Sequence, residues 1–145
     1  MPAEISSAQD PGIAKIRALL IAARAGLAGD VRDLSQSIRQ KTHGPKGTVP
    51  DRSAPIEKMR TRVETLRASI EGTAVAGTAA VTARDLTARA LRENGEALGK
   101  LAASYAAPDQ SSATALVAES VRLMSESKAT SVRASKALGI PWPLQ

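Results

Sequence analysis

Aromatic side chains are almost missing from this chain: one Tyr, one Trp and no Phe in 145 residues. Aromatic residues bury the largest areas in ordinary cores, so a chain without them has to be held together differently. Alanine is abundant instead, and a buried alanine removes little apolar area from water. The arrangement that suits such a composition is a set of helices drawn close together through Ala, Leu, Ile and Val. Stabilisation per residue is then low, which leads to a marginal monomer or to a core completed against a partner.

The large aliphatic residues recur at helical spacing along most of the chain. Residues 1–10 are polar and unpatterned and are expected to be disordered. Asp10 and Pro11 read as a helix cap and first turn. Ile13, Ile16, Leu20, Ala23, Leu27, Leu34 and Ile38 follow, with Val31 beside the stripe, and predict a helix over about 11–42. His43-Gly44-Pro45 closes it, and 43–53 is a mobile loop rich in Gly and Pro.

A second helix is expected over about 54–107. Ile56, Met59, Val63, Leu66 and Ile70 alternate at three and four, a heptad-like coiled-coil seam that calls for a partner helix. These five residues are the candidate partner interface. Gly72 to Ala80 has almost no large side chains, and a continuous helix with a kink is favoured there over a break at Gly72–Gly77, which would make four helices. Large residues resume at Val81, Leu86, Leu98, Leu101 and Tyr105. The pattern stops at Tyr105-Ala106-Ala107-Pro108-Asp109, where Asp109 or Ser111 can cap a third helix over about 110–138. Leu116, Val117, Val121, Met124, Val132 and Leu138 mark its expected inner face. Gly139 and Pro141 end it, leaving an apolar tail, 139–145, whose Trp142 either folds back as a plug or joins the partner interface. No segment alternates as a strand. The expected fold is all-α: an elongated helical hairpin or a bundle of three to four long antiparallel helices in one domain, 11–138.

The net charge of +6 is not concentrated. Glu57, Arg60, Glu64 and Arg67 interleave at the spacing of helix-surface ion pairs. A sequence-independent nucleic-acid contact through Lys58, Arg60, Arg62 and Arg67 is therefore the weaker alternative, and the missing aromatics remove base stacking. The single His, His43, lies in the Gly/Pro loop. Asp30/Asp33 and Glu93/Glu96 read as solvated helix faces. There is no Cys, no HExxH, no P-loop and no GxGxxG. No catalytic, metal or cofactor site is expected, and the chain reads as a non-enzyme. Its longest apolar run, Ala18 to Ala23, falls far short of the ~20 residues that span a bilayer. No secretory signal peptide opens the sequence. The cytoplasm is the expected location, with export by another route as the alternative.

The segment from Leu91 to Leu116 resembles the end of the second helix in small Ala-rich substrates of actinobacterial type VII secretion. That resemblance implies a helical hairpin, a dimer with a related chain, and a Tyr-x-x-x-Asp/Glu export signal, whose two positions Tyr105 and Asp109 would occupy. The Trp-x-Gly turn of one branch is missing, and His43-Gly44 stands in the corresponding loop. A fainter resemblance is to phasins, the helical proteins that coat polyester granules, in Glu96-Ala97-Leu98 followed by the Pro108 break; phasins usually carry more Phe. Together these lead to a non-enzymatic helical interaction protein with a protein partner, as a homo- or hetero-oligomer formed through helix packing. The alternative is a self-associating scaffold or coat protein, of a phage or a granule.

Overall fold

The computed structural model describes residues 10–40 and 53–144. Four helices carry the fold: α1 (Pro11–Gln40), α2 (Ser53–Glu71), α3 (Thr78–Ser104) and α4 (Gln110–Leu138). No strand is present among the described residues. The 27 residues of α3 make a rod about 40 Å long. It is the central element: α2 packs along one side of it, α4 along another, and α1 lies mainly on α2. The pairs α2–α3 and α3–α4 run antiparallel, as their short connections require.

The core joins Ile13, Ile16 and Leu20 of α1 to Ile56, Val63, Leu66 and Ile70 of α2. On α3 it takes in Ala80, Ala83, Ala88, Leu91, Leu98 and Ala102. Large aliphatic side chains on two helices thus meet a largely small-residue face on the third. At Gly95 a Cβ would sit only 3.5 Å from the Glu64 side chain and 3.8 Å from Val63, so α2 and α3 approach closely there.

The expected continuous helix over 54–107 is in fact two helices. α2 ends at Glu71, and six residues pass before α3 begins at Thr78. Gly77 supplies the N-cap of α3 at φ +87°, a conformation that a residue with a Cβ rarely adopts. The break is fixed from a distance. Asp10 Oδ1 accepts the Gly12 N–H at 2.7 Å and the Ile13 N–H at 3.3 Å, capping α1. Its other oxygen, Oδ2, accepts the Ala76 N–H at 3.0 Å. One carboxylate therefore ties the start of α1 to the α2–α3 connection. The Ala76 N–H, with those of Gly12 and Ile13, holds the Asp10 carboxyl below the usual carboxylate range against the opposing effect of burial. Gly12 permits the approach: a Cβ there would overlap the Ala74 carbonyl oxygen and lie 2.7 Å from Val75 Cγ1. Asp10 thus belongs to the folded domain, whereas residues 1–9 and the expected loop 43–53, up to Arg52, lie outside the described residues.

The inner face of α4 also differs from expectation. Val117, Val121 and Val132 are 41%, 63% and 61% exposed, and Leu116 and Met124 are half-buried. The buried residues are Ser120, Leu123, Ser127, Thr130, Ser131, Ala134 and Leu138. Hydroxyl groups explain the choice. Ser120 Oγ donates to the Ala97 carbonyl at 2.7 Å, and Ser127 Oγ to the Ala90 carbonyl at 2.8 Å. Thr130 Oγ1 donates to Glu93 Oε1 at 2.6 Å. Ser120 and Ser127 are one heptad apart, as are Ala90 and Ala97, so the two antiparallel helices match small residue to small residue every two turns. A buried hydroxyl with a partner is tolerated where an unpaired one is not.

α4 ends at Gly139, and the tail folds back, the first of the two expected alternatives. Arg17 Nε donates to the Leu138 carbonyl at 3.0 Å, and the Ser135 hydroxyl donates to the Ile140 carbonyl. Ile140, Trp142 and Leu144 pack, partly buried, against the core.

Candidate functional site

Each sequence-derived site residue has a clear place. Tyr105 forms the C-terminal cap of α3, its N–H donating to the Ala102 carbonyl at 3.2 Å. Its side chain is half-buried against the edge of the core. Asp109 is the N-cap of α4: its Oδ1 accepts the Ser112 N–H at 2.7 Å. The Ser112 backbone first, then the Ser112 hydroxyl and the Ser111 N–H, hold the Asp109 carboxyl below its usual range. The two residues lie in one short turn, Asp109 exposed and occupied in capping.

The candidate interface on α2 is not a surface. Ile56, Val63, Leu66 and Ile70 are buried, and Met59 packs half-buried against the same cluster. The seam does find its partner helices, but within the chain. Trp142 sits half-buried beside Ile21 and Arg24 of α1, with Ile140, Pro141 and Pro143, around a cavity of about 390 Å³.

The cations of α2 are all engaged. Arg62 Nε lies 2.6 Å from Asp30 Oδ2, and Lys58 Nζ lies 3.6 Å from Asp30 and 3.7 Å from Asp33. Arg60 pairs with Glu57 at 3.2 Å and Glu64 at 3.3 Å. Arg67 and Arg92 share Glu71, each at 2.8 Å. The Arg92 hydrogen bond, followed by that of Arg67, lowers the Glu71 carboxyl. Lys58 and Arg62 also line a shallow groove of about 580 Å³ between α1 and α2, over Ala23 and Leu66.

Two acids expected on solvated faces are buried instead. Asp30 is 3% exposed and held by Arg62 and Lys58. Glu93 is 8% exposed, and receives the Thr130 hydroxyl and the Arg89 guanidinium, the latter at 3.5 Å. Among the described residues, no group of three or more His, Cys, Asp or Glu is placed to hold a metal ion. His43 lies outside those residues.

What the sequence reading missed is an open apolar face on α4. Val117, Val121 and Val132 fall close to one line along the helix, at steps of four and eleven. The flank of the same helix carries Arg122, which engages both Glu119 and Glu126, the latter at 2.5 Å. These carboxylates raise the guanidinium above its ordinary value, and Arg122 lowers Glu119 in turn. The spacing of Glu119, Arg122 and Glu126 at i−3 and i+4 marked a solvent face in the sequence. The heptad of Ser120 and Ser127 against Ala90 and Ala97 was the other available signal. No protein-family model, curated protein or solved structure matches this chain.

Proposed function

We propose that this chain is a non-catalytic helical interaction protein that meets a protein partner through the outside of α4. The observation that carries this is a reversal of roles. The seam that asked for a partner, Ile56 to Ile70, is satisfied internally, while Val117, Val121 and Val132 stay open along one line. Scattered exposed aliphatics need no explanation, but an aligned set on a helix facing away from its own bundle does. The polar groups support the same reading. The buried acids Asp30 and Glu93 are engaged between helices, Asp30 by Arg62 and Lys58 and Glu93 by Arg89 and the Thr130 hydroxyl, so both serve the packing of the bundle. The cations of α2 are committed to carboxylates, which disfavours a phosphate-tracking stripe.

Within this reading, the finer assignment is a substrate of a type VII-like secretion system. Its support is the placement of Tyr105 and Asp109 in the one turn between α3 and α4. Among the described residues no helix is long and apolar enough to cross a membrane. The test uses Tyr105→Ala and Asp109→Ser in an actinobacterial host. Serine keeps the helix cap and removes the charge, so lost export with unchanged circular dichroism supports the signal. Unchanged export of both variants removes the secretion assignment. For the broader reading, a photo-crosslinking residue at Val121 in the full chain should trap a discrete protein adduct in cells. Absence of an adduct there and at other exposed positions contradicts it.

A further inference from the structure

The α4 face carries information about what covers it. Along the line of Val117, Val121 and Val132 lie Lys128, seven residues beyond Val121, and Lys136, four beyond Val132. Both lysines are exposed, and among the described residues neither takes part in an ion pair. The acids of α4 are elsewhere: Glu119 and Glu126 sit on the flank, held by Arg122, and Asp109 caps the helix start. The rest of the face is small and uncharged, with Thr114, Ala118, Ser125 and Ala129 all exposed. The face is therefore apolar, free of acid and positive toward its C-terminal half.

We infer that the outer face of α4 docks an acidic amphipathic helix of a partner protein, through Val117, Val121 and Val132 with Lys128 and Lys136. This rests on the interaction reading above and names the chemistry of the partner. Small residues between valines leave shallow holes into which the Leu or Ile knobs of a second helix fit. The unpaired lysines lie where flanking carboxylates of that helix would reach. A second copy of this chain fits poorly, because its own face carries no acid to meet Lys128 and Lys136. A lipid surface fits poorly too. Membrane-surface helices insert Trp, Phe or Leu, and this line offers only valine.

The test uses the full chain and two synthetic helical peptides with identical Leu/Ile faces, one flanked by Glu and one by Lys. Fluorescence anisotropy of labelled peptide reads binding. The acidic peptide should bind at least about tenfold more tightly than the basic one. Val121→Asp should weaken it by about tenfold or more, with thermal unfolding unchanged because Val121 is exposed. Lys128→Glu with Lys136→Glu should reverse the preference between the peptides. Equal binding of both peptides, indifference to Val121→Asp, or binding of neither overturns the inference. So does dimerisation in sedimentation that Val121→Asp abolishes, or binding to phosphatidylglycerol vesicles with no binding to peptide. If the peptides fail while a crosslinker at another exposed site still traps a protein, only this docking surface is wrong. If no site traps a protein, the interaction reading falls as well.

Discussion

The two sides of α3 solve the same packing problem with different chemistry. Toward α2 and α1, α3 presents Ala88, Leu91, Leu98 and Ala102 to Ile13, Ile16, Leu20, Ile56, Val63, Leu66 and Ile70. Burial of large aliphatic area dominates there. Toward α4 the seam centres on Ala90, Ala97, Ser120 and Ser127, and α4 buries only Leu123 and Leu138 as large aliphatic side chains. Close approach and hydrogen bonds from hydroxyl to carbonyl take over, at 2.7 Å and 2.8 Å. The lesson concerns what is left outside. A hydrophobic seam draws in its large residues, whereas a small-residue seam leaves Val117, Val121 and Val132 on the surface.

This contrast is open to attack from the strong side first. Ile70 is fully buried, and Ile70→Ala should destabilise the fold by about 3 kcal/mol in chemical denaturation. A loss near zero would mean that α2 does not own the core. Next, Gly12→Ala pushes a methyl into the Ala74 carbonyl and should cost about 2 kcal/mol, despite the better helix propensity of alanine. The hydroxyl seam is the weaker one. Ser127→Ala should cost about 1 kcal/mol, and Ser127→Leu about 2 kcal/mol because the close approach cannot admit it. If leucine stabilises instead, α3 and α4 are not in close contact at that level. The smallest effect belongs to the surface: Val121→Asp should change stability by no more than about 0.5 kcal/mol.

Acid should act through the carboxylates rather than through either seam. The Asp10 carboxyl is depressed by the Ala76, Gly12 and Ile13 N–H groups. A depressed carboxyl contributes stability that is fully present above its unfolded value, near the ordinary Asp range of about 3.9. That contribution disappears as pH falls through the lower folded value. Asp10→Asn keeps one acceptor oxygen but turns a donor toward either Gly12 or Ala76. The variant should therefore be less stable at neutral pH, and its stability should fall less steeply below about pH 4. An unchanged acid limb would show that the carboxylate does not tie α1 to the α2–α3 connection.

Much of the fold was legible. The stripe of α2, that of α1 from Ile13 to Leu34 without the exposed Val31, the caps at Asp10 and Asp109 and the stop at Gly139 all follow from local rules, and the structure places them where those rules put them; Ile38 lies outside the described side chains. The break after Glu71 was legible only as the less favoured alternative, because nothing local enforces it: an Ala/Thr/Gly run tolerates helix or turn. The bond from Asp10 to Ala76 joins residues far apart in sequence, and pattern reading sees no such contact. The face of α4 was misread for a related reason. Hydropathy ranks valine above serine, but Ser120 and Ser127 have carbonyl partners on α3 that a single helix does not reveal. The seam Ile56–Ile70 was recognised correctly as needing company, and only its owner was missed.

Thiol labelling reads the orientation of α4 directly, since the chain contains no cysteine of its own. Single substitutions Val121→Cys and Ser127→Cys place one thiol on each side of α4. The Val121→Cys thiol should react with a maleimide at the rate of a free thiol, while the Ser127→Cys thiol should react about a hundredfold more slowly, through local opening. Fast labelling at 127 and protection at 121 would show that the valines face α3, and would contradict both the seam and the surface derived from it.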